Sequence, residues 1–177
     1  MRFEGAILEA VHELHEVLKD RGERLALAES CTGGLLGGAV TAVGGASDVF
    51  VYDLVTYSNR AKIELLSVPT ETIRHTGAVS GPTARAMAAG VRDRLDEADW
   101  GLSITGLAGP DGGRPGKPVG TVYIGIATAG ASGTHSIAKR FRFDGDRSSI
   151  RQQTVRAALE LAIDAVGHSS MRSNQPS

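Results

Sequence analysis

The segment Glu29-Ser30-Cys31-Thr32-Gly33-Gly34 sets two hydroxyls and a thiol where an apolar run gives way to glycine. Side chains of these types carry nucleophilic catalysis once a neighbouring base takes their proton. Upstream, Arg24 to Ala28 is short and mostly apolar, as a buried strand should be; downstream, Leu35, Leu36, Ala39 and Val40 recur at helical spacing. Ser30 therefore falls at a strand-to-helix junction. N–H groups there lack intrahelical acceptors and carry the positive end of the helix dipole, which favours a phosphate or a developing oxyanion. Taken alone, the segment also reads as a helix start that Ser30 or Thr32 merely caps.

A second junction, Thr56-Tyr57-Ser58-Asn59-Arg60-Ala61-Lys62, puts a tyrosine at a strand end and a lysine one turn into the next helix. In layered α/β folds ligands gather at strand carboxyl ends, so both side chains can face the crevice that holds Ser30. Tyr57 and Lys62 are five residues apart, not the four of the Tyr-x-x-x-Lys pair of short-chain dehydrogenases, and the first junction lacks the full dinucleotide fingerprint. This argues against a nicotinamide dehydrogenase. In isolation Lys62 also reads as a solvated surface lysine and Tyr57 as a half-buried strand residue. Thr105 and Gly106 end a third apolar run and open a loop to Pro118 rich in glycine and proline; such a loop is either functional or a disordered connector. His75, before Thr76-Gly77, reads as a helix-terminal histidine facing the dipole, not a catalytic base.

The elements that must position these groups follow from periodicity. Ile7, Ala10, Val11, Leu14, Val17 and Leu18 share one face of a helix over residues 4 to about 20. Phe50 to Tyr57 is β-branched and aromatic, with Ser58-Asn59 as a turn or cap before Ala61 to Leu66. Ser80 caps a helix with Pro82 just inside it, followed by Ala84, Met87, Ala88, Val91 and Leu95. Trp100 to Thr105 is a strand, Val119–Thr128 and Thr134–Phe143 form a hairpin, and a last helix runs from about Asp146 to Val166. The expectation is a three-layer α/β/α domain with a mixed, largely parallel sheet of about five strands ending in that hairpin. Residues 1–167 form this one domain and 168–177 a disordered tail.

Bulk composition narrows the partners. With 19 basic against 20 acidic residues, no charge excess recruits nucleic acid or an anionic membrane. The uncharged run Ser30 to Ser47 contains six glycines and is no membrane span. Glu4, His12, Glu13 and Glu16 interrupt any secretory apolar core near the start. Cys31 is the one cysteine, which rules out an internal disulfide and a cysteine-based metal site and fits a reducing cytoplasm.

Five blocks in register, LAESCTGGLL, YSNRAKIELLSV, HTGAVS, ITGLAGPDGG with KPVGTVYI, and GDRSSIR, resemble the CinA C-terminal domain family over most of residues 25 to 160. The resemblance implies a nicotinamide-nucleotide amidohydrolase, converting nicotinamide mononucleotide and water to nicotinate mononucleotide and ammonia, with no metal or organic cofactor. It implies Ser30 as nucleophile, with Lys62 and Tyr57 as its activating partners. It further implies a homodimer and, since the larger N-terminal domain of many relatives is absent from this sequence, the stand-alone form. The backbone of Cys31, Thr32, Gly33 and Gly34 is the expected oxyanion cradle, and Asn59, Thr32, Thr105 with Gly106, and Arg147 are the candidates for the phosphate. Cys31 stands as a rival nucleophile, a thiolate being intrinsically stronger. Two other readings stay open: a non-catalytic module that holds phosphate on the glycine turn, and an interaction protein linked to competence or DNA damage. One departure stands out. Tyr52-Asp53 replaces the Gly-Gly pair usual in the family, and is expected to narrow the site.

Overall fold

Seven helices and five strands make up the described residues, 3–130 and 133–169, of the computed structural model. They run α1 (Gly5–Arg21), β1 (Leu25–Glu29), α2 (Leu35–Val40), α3 (Ala46–Val49), β2 (Phe50–Val55), α4 (Asn59–Leu66), α5 (Thr70–Thr76), α6 (Gly81–Arg92), β3 (Trp100–Gly106), β4 (Thr121–Gly130), β5 (Gly133–Arg142) and α7 (Arg147–Ser169). The sheet order is β2-β1-β3-β4-β5. β1 pairs in parallel with both β2 and β3, whereas β3–β4 and β4–β5 are antiparallel, so the sheet is mixed and closes on a hairpin. The parallel part is confined to the three strands whose ends carry the chemistry-bearing segments.

Strand alternation feeds two cores. Leu25 and Leu27 of β1 point to one face, where Val11, Leu14 and Leu18 of α1 and Val155, Leu159 and Ala162 of α7 cover them. Ala26 and Ala28 point to the other, against Leu66, Met87 and Val91 of α4 and α6. The small side chains on that face let α6 come close: the Ser103 hydroxyl in β3 donates to the Ala84 carbonyl at 2.7 Å. Ser80 caps α6 by accepting from Thr83 N–H at 3.2 Å, with Pro82 in the first turn. The result is a three-layer α/β/α arrangement.

The C-terminal segment and the loop after β3 differ from expectation. α7 continues to Ser169, two residues into the segment read as a tail, and the rest of that segment lies outside the described residues. The loop after β3 is pinned, not a loose connector. Leu107 and Gly120 close its base by backbone bonds, and the Lys117 ammonium donates to the carbonyls of Thr76 at 3.0 Å and Val79 at 2.7 Å.

Candidate active site

β1, β2 and β3 run in parallel, so Glu29, Val55 and Gly106 end at one edge of the sheet, the edge where open α/β sheets bind ligands. From β2 the chain enters α4 through Ser58, whose hydroxyl accepts from Ala61 N–H at 3.0 Å. This cap starts the helix so that Lys62 and Leu66, one turn apart, share its buried face. Lys62 is 1% exposed. Its ammonium donates to the carbonyls of Thr56 at 2.6 Å and Tyr57 at 3.4 Å, and lies 3.0 Å from Ser30 Oγ. Burial pulls its pKa down to about 8. In the ammonium form all three N–H groups find acceptors. In the neutral form two N–H groups stay on the carbonyls and the lone pair is left for the Ser30 hydroxyl. The same three contacts thus serve both protonation states, as a proton acceptor requires.

The turn that presents Ser30 is built on glycine. Gly33 and Gly34 have φ of 62° and 87°, conformations that L side chains rarely adopt. They direct their own N–H groups away from any ligand: Gly33 donates to the Ser30 carbonyl at 3.1 Å and Gly34 to the Glu29 carboxylate at 3.0 Å. The oxyanion cradle expected over Cys31 to Gly34 is therefore cut to its first half. Of these four N–H groups, those of Cys31 and Thr32 donate to no other residue among the described residues. Glu29 occupies the start of α2 in place of an external anion, also accepting from Gly37 N–H at 2.8 Å. It is fully buried.

Asp53 of β2 faces this carboxylate. Burial, and then the charge and hydrogen bonding of Glu29, push the Asp53 pKa well above the usual carboxylate range. A Cβ at Gly37 would stand 2.5 Å from Asp53 Oδ2, so the bare glycine makes room for it. Tyr52 points to the opposite side and donates its hydroxyl to the Val91 carbonyl. Asp53 thus lies against Glu29 and Gly37 beneath the Ser30 turn, and Tyr52 against α6.

The other expected residues divide. Cys31 is buried and its thiol is pushed up to about 12 by desolvation, which keeps it protonated and a poor nucleophile at neutral pH. Tyr57 meets Lys62 through its carbonyl; its side chain is 63% exposed, with the phenol oxygen accepting from Arg147 at 3.3 Å. Arg147 also donates to the Gly109 carbonyl at 2.7 Å. Thr105 is buried and its hydroxyl donates to the Ala78 carbonyl at 2.8 Å, bracing β3 against the segment before α6. Gly106 stands beside Cys31, where a Cβ would lie 3.1 Å from the sulfur. Thr32 is fully buried with its hydroxyl unpartnered, and Asn59 opens α4 on the exposed side. His75 lies in the last turn of α5, paired with Glu71 at 3.0 Å.

Several contributions are absent from the sequence reading. Glu29 and Asp53 are acids in otherwise apolar strands, a signal in itself, but their meeting depends on β1 and β2 being neighbours. Arg151, one turn into α7, holds the Thr32 carbonyl through two guanidinium nitrogens. Thr56 and Tyr57 serve Lys62 through backbone carbonyls, which no side-chain pattern reveals.

Comparison with known proteins shows which family the chain resembles. Residues 8–166 match the family model described as the CinA C-terminal domain. A CinA-like protein of Anaeromyxobacter sp. (strain K) is 52% identical over 144 residues, 81% of this chain and 34% of that protein. One from Citrifermentans bemidjiense is 49% identical, with the same coverage. The chain thus spans about a third of the length of these curated relatives. Among solved structures, the competence/damage inducible protein CihA from Agrobacterium tumefaciens superposes with a TM-score of 0.85 at 41% identity, covering 94% of this chain and 99% of that one. A competence-damaged protein (CinA) superfamily protein from Klebsiella pneumoniae gives 0.82 at 34%, covering 92% and 98%.

Proposed function

We propose an activity for this chain, which belongs to the CinA C-terminal domain family: hydrolysis of the carboxamide of nicotinamide mononucleotide to nicotinate mononucleotide and ammonia, with Ser30 as nucleophile. The observation that carries the reading is the buried Lys62 amine, 3.0 Å from Ser30 Oγ. A serine hydroxyl is unreactive at neutral pH until a base takes its proton, and burial brings Lys62 to about 8, close to that task. The choice of substrate rests on the family resemblance.

In this reading neutral Lys62 accepts the Ser30 proton as Oγ bonds to the carboxamide carbon, which the cationic pyridinium ring has already made electrophilic. The carbonyl oxygen becomes an oxyanion facing the Cys31 and Thr32 N–H groups. Lys62 returns the proton to the amide nitrogen, the C–N bond breaks and ammonia leaves an acyl ester on Ser30. Water then attacks that ester, gives its proton to Lys62, and Ser30 recovers it as the carboxylate departs. General-base assistance supplies about 10²- to 10⁴-fold. Each oxyanion donor adds about 3 to 4 kcal/mol. Tyr57 and Arg147 meet each other at the exposed surface, and this reading gives them the ribose side of the substrate.

A non-catalytic module holding phosphate on the glycine turn draws no support from Gly33 and Gly34, whose N–H groups go to Ser30 and Glu29. The deciding experiment incubates the purified chain with nicotinamide mononucleotide and follows ammonia, with nicotinamide riboside and free nicotinamide as controls. Ammonia release from the mononucleotide supports the reading; binding without release returns the chain to a binding module.

A further inference from the structure

A cavity of about 350 Å³ is bounded by Asn59, Ala78, Val79, Leu107 and Arg114 among others, on segments that lead to the reaction centre. Two of its walls continue the site. Asn59 opens α4, which carries Lys62, and Leu107 follows Gly106, which lies beside Cys31. The third wall is the turn from Arg114 to Lys117, whose ends exchange two backbone hydrogen bonds at 3.1 and 2.9 Å. Lys117 anchors the turn to the Thr76 and Val79 carbonyls, and Arg140 anchors it by donating to the Gly116 carbonyl at 2.8 Å.

This anchoring leaves Arg114 over. Among the described residues its guanidinium has no carboxylate, carbonyl or hydroxyl partner, yet it stands with two further cations. Desolvation, then the charges of Arg114 and Arg140, pull the Lys117 pKa down. Three positive groups around one turn with no acid among them repel each other, and an anion relieves that repulsion. A guanidinium also offers paired N–H donors that match phosphate geometry. The opposite wall supplies the Asn59 side-chain amide, which likewise has no partner among the described residues.

We propose that this cavity is the subsite for the phosphomonoester of the substrate, with Arg114 as its principal ligand and the determinant of preference for a mononucleotide over the free nucleoside. The inference rests on the reading of Ser30 and Lys62 as the reaction centre. It assigns the phosphate a place distinct from the glycine turn and from Arg147.

The test measures calorimetric binding of nicotinamide mononucleotide and nicotinamide riboside to the full chain carrying Ser30→Ala, with Arg114 intact, Arg114→Lys or Arg114→Ala. With Arg114 intact the mononucleotide binds about 10- to 100-fold tighter than the riboside, the worth of a charge-assisted contact. Arg114→Ala collapses that ratio to near unity by weakening the mononucleotide alone, and Arg114→Lys restores part of it. A ratio that survives Arg114→Ala, that falls because both ligands weaken equally, or that is absent at the outset overturns the subsite. Failure of the amidohydrolase reading has another signature: no ammonia from the unmodified chain, whatever the Arg114 ratio.

Discussion

Asp53 of β2 and Glu29 of β1 press their carboxyl groups together beneath the turn that carries Ser30. Glu29 is committed to the N–H groups of Gly34 and Gly37, so Asp53 holds the proton of the pair. Its pKa is about 8 in the folded chain, against about 4 when unfolded. Between those values the folded state keeps a proton that the unfolded state has shed, so this site's contribution to stability is full below about pH 4 and is lost as pH rises through about 8. Thermal melts across this window should fall more steeply for the natural chain than for Asp53→Asn, which has no proton to lose. Parallel curves for the two proteins would contradict the assignment.

Glu29→Gln tests the support of the turn. The amide keeps the shape but loses the charge that two N–H groups share, and hydrogen bonds to charged groups contribute about 1.5–3 kcal/mol each. Urea unfolding should show a loss of about 2–3 kcal/mol, with turnover reduced as the Ser30 turn loosens. A variant as stable and as active as the natural chain would remove Glu29 from the support of the site.

Lys62 sets the pH dependence of the rate. Turnover should rise through an apparent pKa near 8 as the amine becomes neutral. Lys62→Arg, always charged, and Lys62→Met, without a basic atom, should each lose about 10²- to 10⁴-fold. The same group has a stability signature of opposite sign to that of Asp53. Its folded pKa is depressed, so stability rises with pH between about 8 and about 10.5, and Lys62→Met should abolish that rise. A rate profile flat through pH 8 would dismiss Lys62 as the base.

What was legible beforehand follows a physical line. The amphipathic spacing of Ile7 to Leu18, the Ser80-Pro82 cap signal and the β-branched runs placed most elements, because those patterns are local. Ser30, Tyr57 and Lys62 were legible as residue types at strand ends, and parallel strands bring such ends to one edge. The sheet order was not legible, and everything that depends on β1 and β2 being adjacent stayed hidden with it, above all the meeting of Glu29 with Asp53. The glycine turn looked like an anion cradle because its unpaired N–H groups were visible in the pattern. That a side chain five residues upstream of Gly34 would accept from it depends on a turn geometry set by two positive φ angles.

The most direct measurement is ammonia release from nicotinamide mononucleotide by the natural chain and by Ser30→Ala, which keeps Cys31 and Lys62 in place. Release by the natural chain, with a fall of at least about 10³-fold in Ser30→Ala and no change in fold, is the predicted result. Turnover retained in Ser30→Ala would contradict the account and return the nucleophile to Cys31 or to a water molecule.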